Sequence, residues 1–304
     1  MTVEIIGREA EAELDWLTLC DAIEAGHGLP RAEIADALLY RGKDTLLNRA
    51  AWIDGLGQLV KCATVFPGNG ALGKPSVNGS VTLYADTTGE LEAVVDFHLV
   101  TKFKTAGDSL VSARRLARPE SREILIVGAG TVARSMVEAY RAGFPDARFH
   151  IWNRSPGGAN ALARETGAEV ATDLAAAVSA ADIICTCTMS TEPVVKGEWL
   201  RPGQHLDLIG AYRPDMREVD DEALSRAQLF VDSRATTIHH IGELKDPIAR
   251  GVISEADIQA DFYDIPQGLY RRRSAEEITI AKNGGGAHLD LMTAAYILAA
   301  WRGR

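Results

Sequence analysis

Neither a long apolar run nor an excess of basic charge occurs anywhere in these 304 residues. No stretch reaches the roughly 18 apolar residues that a membrane-spanning helix needs. The N-terminal segment MTVEIIGREAEAELDW is acidic and lacks the basic start and apolar centre of a secretory leader, so a cytoplasmic protein is expected. With 32 Lys and Arg against 42 Asp and Glu, the net charge of -10 repels nucleic acid and anionic membranes at long range. The one basic run, Arg271 to Arg273, is followed by Glu276 and Glu277 and reads as a solvated face.

Cysteine is also scarce. Four residues, Cys20, Cys62, Cys185 and Cys187, are too few and too scattered for a disulfide framework. Cys185 and Cys187 stand two apart in ADIICTCTMS, which reads as a buried strand, where both serve as small hydrophobes on one face. His239 and His240 are adjacent, so their side chains diverge on extended backbone, and no thiol or carboxylate stands at metal-ligand spacing; no metal site is expected.

What is present is apolar residue content of 46%, enough to build a core in each of two ordinary domains. Up to about residue 113 the spacing predicts two helices, EAELDWLTLCDAIEAGHG and RAEIADALLY. The alternating stretches GQLVKCATVF, GSVTLYAD and LEAVVDFHLVTKF follow; their short connections favour antiparallel pairing. From Glu123 the pattern changes. Apolar strands at 123–128, 148–153, 168–171 and 182–187 alternate with helices at 131–142, 157–166 and 173–180, and GQHLDLIGA and AQLFVDS suggest further strands. That alternation is the pattern of an α/β domain whose parallel sheet is covered on both faces. The tail, after the glycine break NGGG, is an amphipathic helix that must pack on the first domain or on another subunit.

The turn after the first of these strands, VGAGTVA, spaces Gly128, Gly130 and Ala133 as G-x-G-x-x-A. Gly128 permits the tight turn, Gly130 lets the backbone approach a pyrophosphate, and Ala133 permits close packing of strand and helix. The helix start supplies free N–H groups and the positive end of its dipole to the phosphates. The second strand ends in Asn153, Arg154 and Ser155, where a site built for NAD carries an acid for the ribose 2'-hydroxyl. Arg154 suits a 2'-phosphate instead, so NADP(H) is expected over NAD(H).

Several ordered segments, GQLVKCATVFPGN, TTGELEAVVDFHLVT, KTAGDSLVSARRLA, VGAGTVA, IWNRS, TEPVVKGEWLRPGQHLDLIGAYRPDMREVDDEAL and AKNGGGAHLDLMTAA, resemble the ornithine cyclodeaminase and mu-crystallin family along nearly the whole chain. The resemblance implies a Rossmann doubly wound domain at 114–282, inserted into an α+β substrate-binding and dimerisation domain made of residues 1–113 and 283–304. It implies a homodimer and a small imino-acid substrate, with hydride passing between nicotinamide C4 and the carbon that bears nitrogen and carboxylate. It also implies a carboxylate anchor. Arg49, placed before the sheet, Lys61 in its strand and Lys104 in a loop match the family's cations, with Lys104 standing where Arg is usual. Lys61 carries independent weight, because a lysine in an otherwise apolar strand is costly without an anionic partner.

Asn69, with Pro67, is expected to shape the substrate pocket, and Thr105 and Ser109 either contact ligand or cap a helix. His98 is expected on the sheet in a structural or exposed role. The cofactor set is completed by Ala129, Thr131, Val132, Thr188, Met189 and Gly210. In the family's cyclodeaminases the loop G-G-D-x-P carries an Asp that handles a side-chain amine. Here Gly210, Ala211, Tyr212, Arg213 and Pro214 occupy it, and a phenol with a pKa near 10 is a poor base for an ammonium. Tyr212 is therefore read as a wall or hydrogen-bond donor of the pocket, and Asp215, Arg217 and Glu218 as fixing the loop. The expected reaction is NADPH-dependent reduction of a preformed cyclic ketimine, Δ1-pyrroline-2-carboxylate to L-proline, with the six-membered homologue beside it. The alternatives are an acyclic imine reductase or amino-acid dehydrogenase, a cyclodeaminase, and a non-catalytic NADPH-binding protein.

Overall fold

The computed structural model describes residues 2–304 and divides into two compact units. One comprises the residues up to Lys104 together with Gly286–Arg304, the other Thr105–Gly285. The first boundary thus falls earlier than expected because α2 (Phe97–Leu116) is one uninterrupted helix whose first turns belong to one unit and whose remainder belongs to the other.

The first unit opens with β1 (Glu4–Ile6) and α1 (Trp16–Gly26), whose N-cap Asp15 accepts from the Thr18 N–H at 2.8 Å. Five strands follow: β2 (Glu33–Arg41), β3 (Asp44–Ile53), β4 (Gly57–Val65), β5 (Val77–Tyr84) and β6 (Leu91–Asp96). They form a six-stranded sheet in the order β1-β6-β5-β4-β3-β2, antiparallel except where β1 lies parallel to β6. Two expectations change here. RAEIADALLY forms strand β2, because it pairs with β3 along its whole length, and that pairing overrides the helical preference of its Ala, Glu and Leu. The expected strand 91–103 stops at Asp96, whose carboxylate accepts from the Leu99 N–H at 2.7 Å and so starts α2.

The second unit carries eight strands: β7 (Glu123–Val127), β8 (Arg148–Trp152), β9 (Glu169–Val170), β10 (Ile183–Thr186), β11 (His205–Leu208), β12 (Gln228–Val231), β13 (Ile258–Ala260) and β14 (Thr279–Lys282). Every pairing is parallel and the order is β13-β12-β14-β11-β10-β7-β8-β9. Strands β7 to β9 run outward to one side and β10 and β11 to the other, so the direction of winding reverses between β7 and β10, where doubly wound sheets bind ligands. The connections include α3 (Thr131–Gly143), α4 (Pro156–Thr166), α5 (Leu174–Ala180), α6 (Asp221–Arg226), α7 (Arg234–Thr237) and α8 (Gly242–Ala249). The sheet is the core: Ile124, Leu125, Ile126 and Val127 of β7 are fully buried, each worth about 1.5–3 kcal/mol relative to exposure.

The chain then returns to the first unit as α9 (Ala287–Arg302), which packs against β3, β4, β5 and α1. Its N-terminal half is buried almost throughout, so the tail helix is core rather than appendage. Among the described residues no helix is long and apolar enough to cross a membrane.

Candidate active site

In the first unit the chemistry gathers on the face of the sheet that α9 covers. Arg49 and Lys61 are direct cross-strand partners in the β3–β4 register, so their side chains leave the same face. Arg49 stands within the sheet rather than before it, and its Nη2 donates to Asp36 Oδ2 at 2.6 Å. Lys61 is 8% exposed, and its Nζ donates to Asp290 Oδ1 at 2.7 Å. Asp290, on α9, is 1% exposed, and its second oxygen lies 3.9 Å from Arg49 Nη1. The Lys61 ammonium also lies 4.9 Å from the centre of the Phe97 ring, within cation–π range.

These contacts set the charges. Burial pushes the Lys61 pKa down, Asp290 pulls it back, and the neighbouring Lys104 and Arg49 push it down again. Burial also works against the Arg49 charge, but Asp36 and Asp290 more than offset it and hold its pKa above the usual range. Lys104, likewise buried, sits in α2 rather than in a loop. His288, at the start of α9, is buried beside His27, the ring centres 5.6 Å apart, and burial together with His27, Lys104, Arg49 and Arg31 keeps it neutral. The structure thus brings Arg49, Lys61 and Lys104 into one electrostatic neighbourhood and adds Asp290 and His288, which the sequence reading missed. Their signal was an Asp and a His inside the apolar run AHLDLM, where a charge demands a partner.

The remaining residues weighed for the substrate pocket fall on the 67–75 turn, on α2 and on the loop after β11. Asn69 donates from Nδ2 to the Pro75 carbonyl at 2.8 Å, which commits it to the 67–75 turn. His98 lies on α2, not on the sheet, with its ring edge-on to Phe97. Thr105 and Ser109 are interior to α2, which removes helix capping as their explanation. Tyr212 is 58% exposed on the loop after β11, beside Arg213.

In the second unit the loops after β7, β8 and β10 enclose a cleft of about 610 Å³ at the carboxyl ends of the strands. It is lined by Gly128, Ala129 and Gly130, by Asn153 and Arg154, and by Thr188 and Met189, so much of the expected cofactor set meets at one place. Gly128 has φ of +126°, and a Cβ there would come within 2.9 Å of the Cys187 carbonyl. Gly130 precedes α3 with extended backbone and no capping side chain, leaving the N–H groups of Thr131 and Val132 open to an anion. Arg154 is exposed and makes no ion pair among the described residues. These features fit a dinucleotide: a glycine turn, an uncapped helix start and a cation at the ribose end.

The far wall of that cleft is held by one buried carboxylate. Glu218 Oε1 accepts from the backbone N–H and the hydroxyl of Thr188 at 2.8 and 2.9 Å, and its Oε2 accepts from the N–H groups of Gly210 and Ala211 at 2.8 and 3.0 Å. A Cβ on Gly210 would fall 2.1 Å from the Thr188 carbonyl, so only glycine allows these two loops to meet. Glu243 in turn accepts from the N–H groups of Glu218 and Val219. Burial, and then the Glu218 charge, raise the Glu243 pKa to about 7. Lys282, also buried, donates to the Leu208 and Asn283 carbonyls and supplies the nearby positive charge. Arg217 binds Asp221 and Asp246, and Asp215 binds Arg213, so Asp215, Arg217 and Glu218 all serve the loop's shape. Burial raises the thiols of Cys185 and Cys187 well above their ordinary range, leaving them unreactive.

The sequence profile of the ornithine cyclodeaminase/mu-crystallin family matches residues 54–304. The chain is 50% identical over 296 residues to the Δ1-pyrroline-2-carboxylate reductase of Paracoccus denitrificans, covering 95% of this chain and 94% of that protein. Among solved structures it is similar to the Δ1-pyrroline-2-carboxylate reductase of Thermococcus litoralis in complex with NADH and L-proline, with TM-score 0.87, 27% identity and coverage of 99% and 98%. It is also similar to an archaeal alanine dehydrogenase dimer with bound NAD, with TM-score 0.89, 28% identity and coverage of 100% and 97%.

Proposed function

The chain belongs to the ornithine cyclodeaminase/mu-crystallin family, and from that premise we propose that it reduces Δ1-pyrroline-2-carboxylate to L-proline with NADPH. It is an oxidoreductase of the CH–NH class, as its relatives are. The observation that carries the substrate reading is the cationic set of the first unit: buried Lys61 and half-buried Arg49 side by side on one sheet face, with buried Lys104 of α2 acting on Lys61. Such a set suits a small carboxylate, and an α-imino acid brings one directly attached to the carbon to be reduced.

A bound reduced nicotinamide supplies the hydride. The residues of this chain hold the rest. Arg49, Lys61 and Lys104 take the carboxylate and so fix the orientation of C2, while a nearby donor or water gives the ring nitrogen its proton. One hydride and one proton add across the C=N bond, and nothing leaves. The loop Gly210–Pro214 carries Tyr212 where cyclodeamination needs a carboxylate, so loss of ammonia from ornithine is not expected.

NADPH over NADH rests on Arg154, which follows β8 between Asn153 and Ser155, where a site built for NAD carries an acid. A homodimer rests on β2, whose nine residues are all exposed, with Leu39 at 62% and Tyr40 at 71%, and on the dimer described for the archaeal relative. An open, apolar edge strand of that kind needs a partner. A second reading, reduction of an acyclic imine of the alanine type, is favoured by Lys104 in place of Arg, which loses the planar fork that grips a carboxylate bidentately.

The test is NADPH oxidation with pyrroline-2-carboxylate, piperideine-2-carboxylate, iminosuccinate and pyruvate plus amine, in wild type and in Lys61→Met. The cyclic substrates should dominate kcat/KM. The variant should lose about 2–5 kcal/mol of transition-state stabilisation, roughly 30- to 4000-fold, while still binding NADPH. Unchanged turnover in Lys61→Met would remove the cationic set from the reaction.

A further inference from the structure

The proposed reduction leaves one buried carboxylate of the first unit without a task. We propose that Asp290 is a positioning residue, which fixes the Lys61 ammonium on the sheet face and supplies its counter-charge; this rests on the ketimine-reductase reading. Asp290 falls among Leu289, Leu291, Met292 and Ala294 of α9, all buried, at a place where an apolar residue would fit the pattern. Its Oδ1 accepts from Lys61 at 2.7 Å, and its Oδ2 has no hydrogen-bond partner among the described residues, with Arg49 Nη1 3.9 Å away. A carboxylate in that setting is tolerated only by virtue of the charge it faces.

The groups facing Lys61 are Asp290 from α9, Arg49 from β3, and Lys104 and the Phe97 ring from α2. Asp290 alone among them is negative. Two cations and burial drive Lys61 toward the neutral amine, which could not hold a carboxylate; Asp290 opposes both. An ammonium has three donors, one of which goes to Asp290 while the Phe97 ring covers a second side. The carboxylate therefore sets both the direction of the ammonium and its charge. Because the pair joins β4 to α9, a tail-helix residue governs a strand residue 229 positions away.

The experiment compares pH profiles of kcat and KM for Δ1-pyrroline-2-carboxylate in wild type, Asp290→Asn and Asp290→Glu. It is accompanied by titration of the Lys61 13Cε resonance without substrate, assigned by its loss in Lys61→Met. In Asp290→Asn the alkaline fall of kcat/KM should move about one pH unit or more toward acid, carried mainly by KM, and the resonance should titrate at correspondingly lower pH. Asp290→Glu should keep the alkaline limb of wild type but raise KM several-fold, because the carboxylate is one methylene out of place. An unmoved limb and an unmoved resonance in Asp290→Asn would overturn the proposal. If that variant does not fold, an unchanged KM in Asp290→Glu overturns it equally. Should wild type fail to reduce the substrate at any pH, the ketimine reading falls, and the substrate-free titration still decides the role of Asp290.

Discussion

Lys61 could be singled out from the sequence because a lysine inside GQLVKCATVF has no reason to be there except an anion. Asp290 carried a similar signal inside AHLDLM, but its pairing with Lys61 could not be read, since the two lie on different elements and nothing in one sequence joins them. Arg154 is the opposite case. Its place after the second Rossmann strand was legible, and the structure adds that it is exposed and unpaired among the described residues. The consequence is a prediction on cofactor choice. Arg154→Ala should lower kcat/KM for NADPH about 10- to 150-fold, the equivalent of about 1.5–3 kcal/mol for a charge-assisted contact, and leave NADH within about twofold. Equal loss for both cofactors would place Arg154 elsewhere than at a 2'-phosphate.

Among the elements, the parallel unit was legible nearly strand by strand, because fully apolar runs separated by glycine turns and capped helices have few other solutions. β13 and β14 escaped notice because IQA and TIAK are short and TIAK runs into the glycine break, yet β14 inserts between β11 and β12. β2 was misread because its composition is helical and only its partner strand makes it extended. The loops after β10 and β11 depend on the Glu218 and Glu243 pair, and here pH matters. Glu243 has its pKa raised from 4.5 to about 7 in the folded state, so its contribution favours folding while it is protonated and is lost as pH rises from about 4.5 through 7. Buried His205, lowered from 6.5 to about 3, acts in the other direction, as its cost grows when pH falls below 6.5. The variant should therefore be compared with wild type at each pH. Glu243→Gln should be the less stable of the two at pH 5, having lost an acceptor, and the difference in Tm should narrow by pH 8, where wild type buries a charge. A gap that stays constant or widens would show that Glu243 keeps an ordinary pKa.

On the scale of the whole molecule, the change of pattern after about residue 113 was the sign of two units, while the amphipathic tail alone left open whether it packs on the first unit or on another subunit; in the structure it belongs to the first. The exact seam was not legible, because a continuous helix crosses it. The exposed apolar β2 predicts self-association. Replacing Leu39 and Tyr40 by Lys and Ser should convert a dimer to a monomer in light scattering while the far-ultraviolet circular dichroism is retained, and a dimer that survives would put the interface elsewhere. The central claim is that a hydride reaches the carbon bearing nitrogen and carboxylate in a preformed ring. Reaction of Δ1-pyrroline-2-carboxylate with NADPH deuterated at the transferable C4 position tests it directly, by mass spectrometry and NMR of the product. The account predicts L-proline carrying a single deuterium at C2. Unlabelled proline, or no proline from the imine while ornithine yields proline and ammonia, would contradict it.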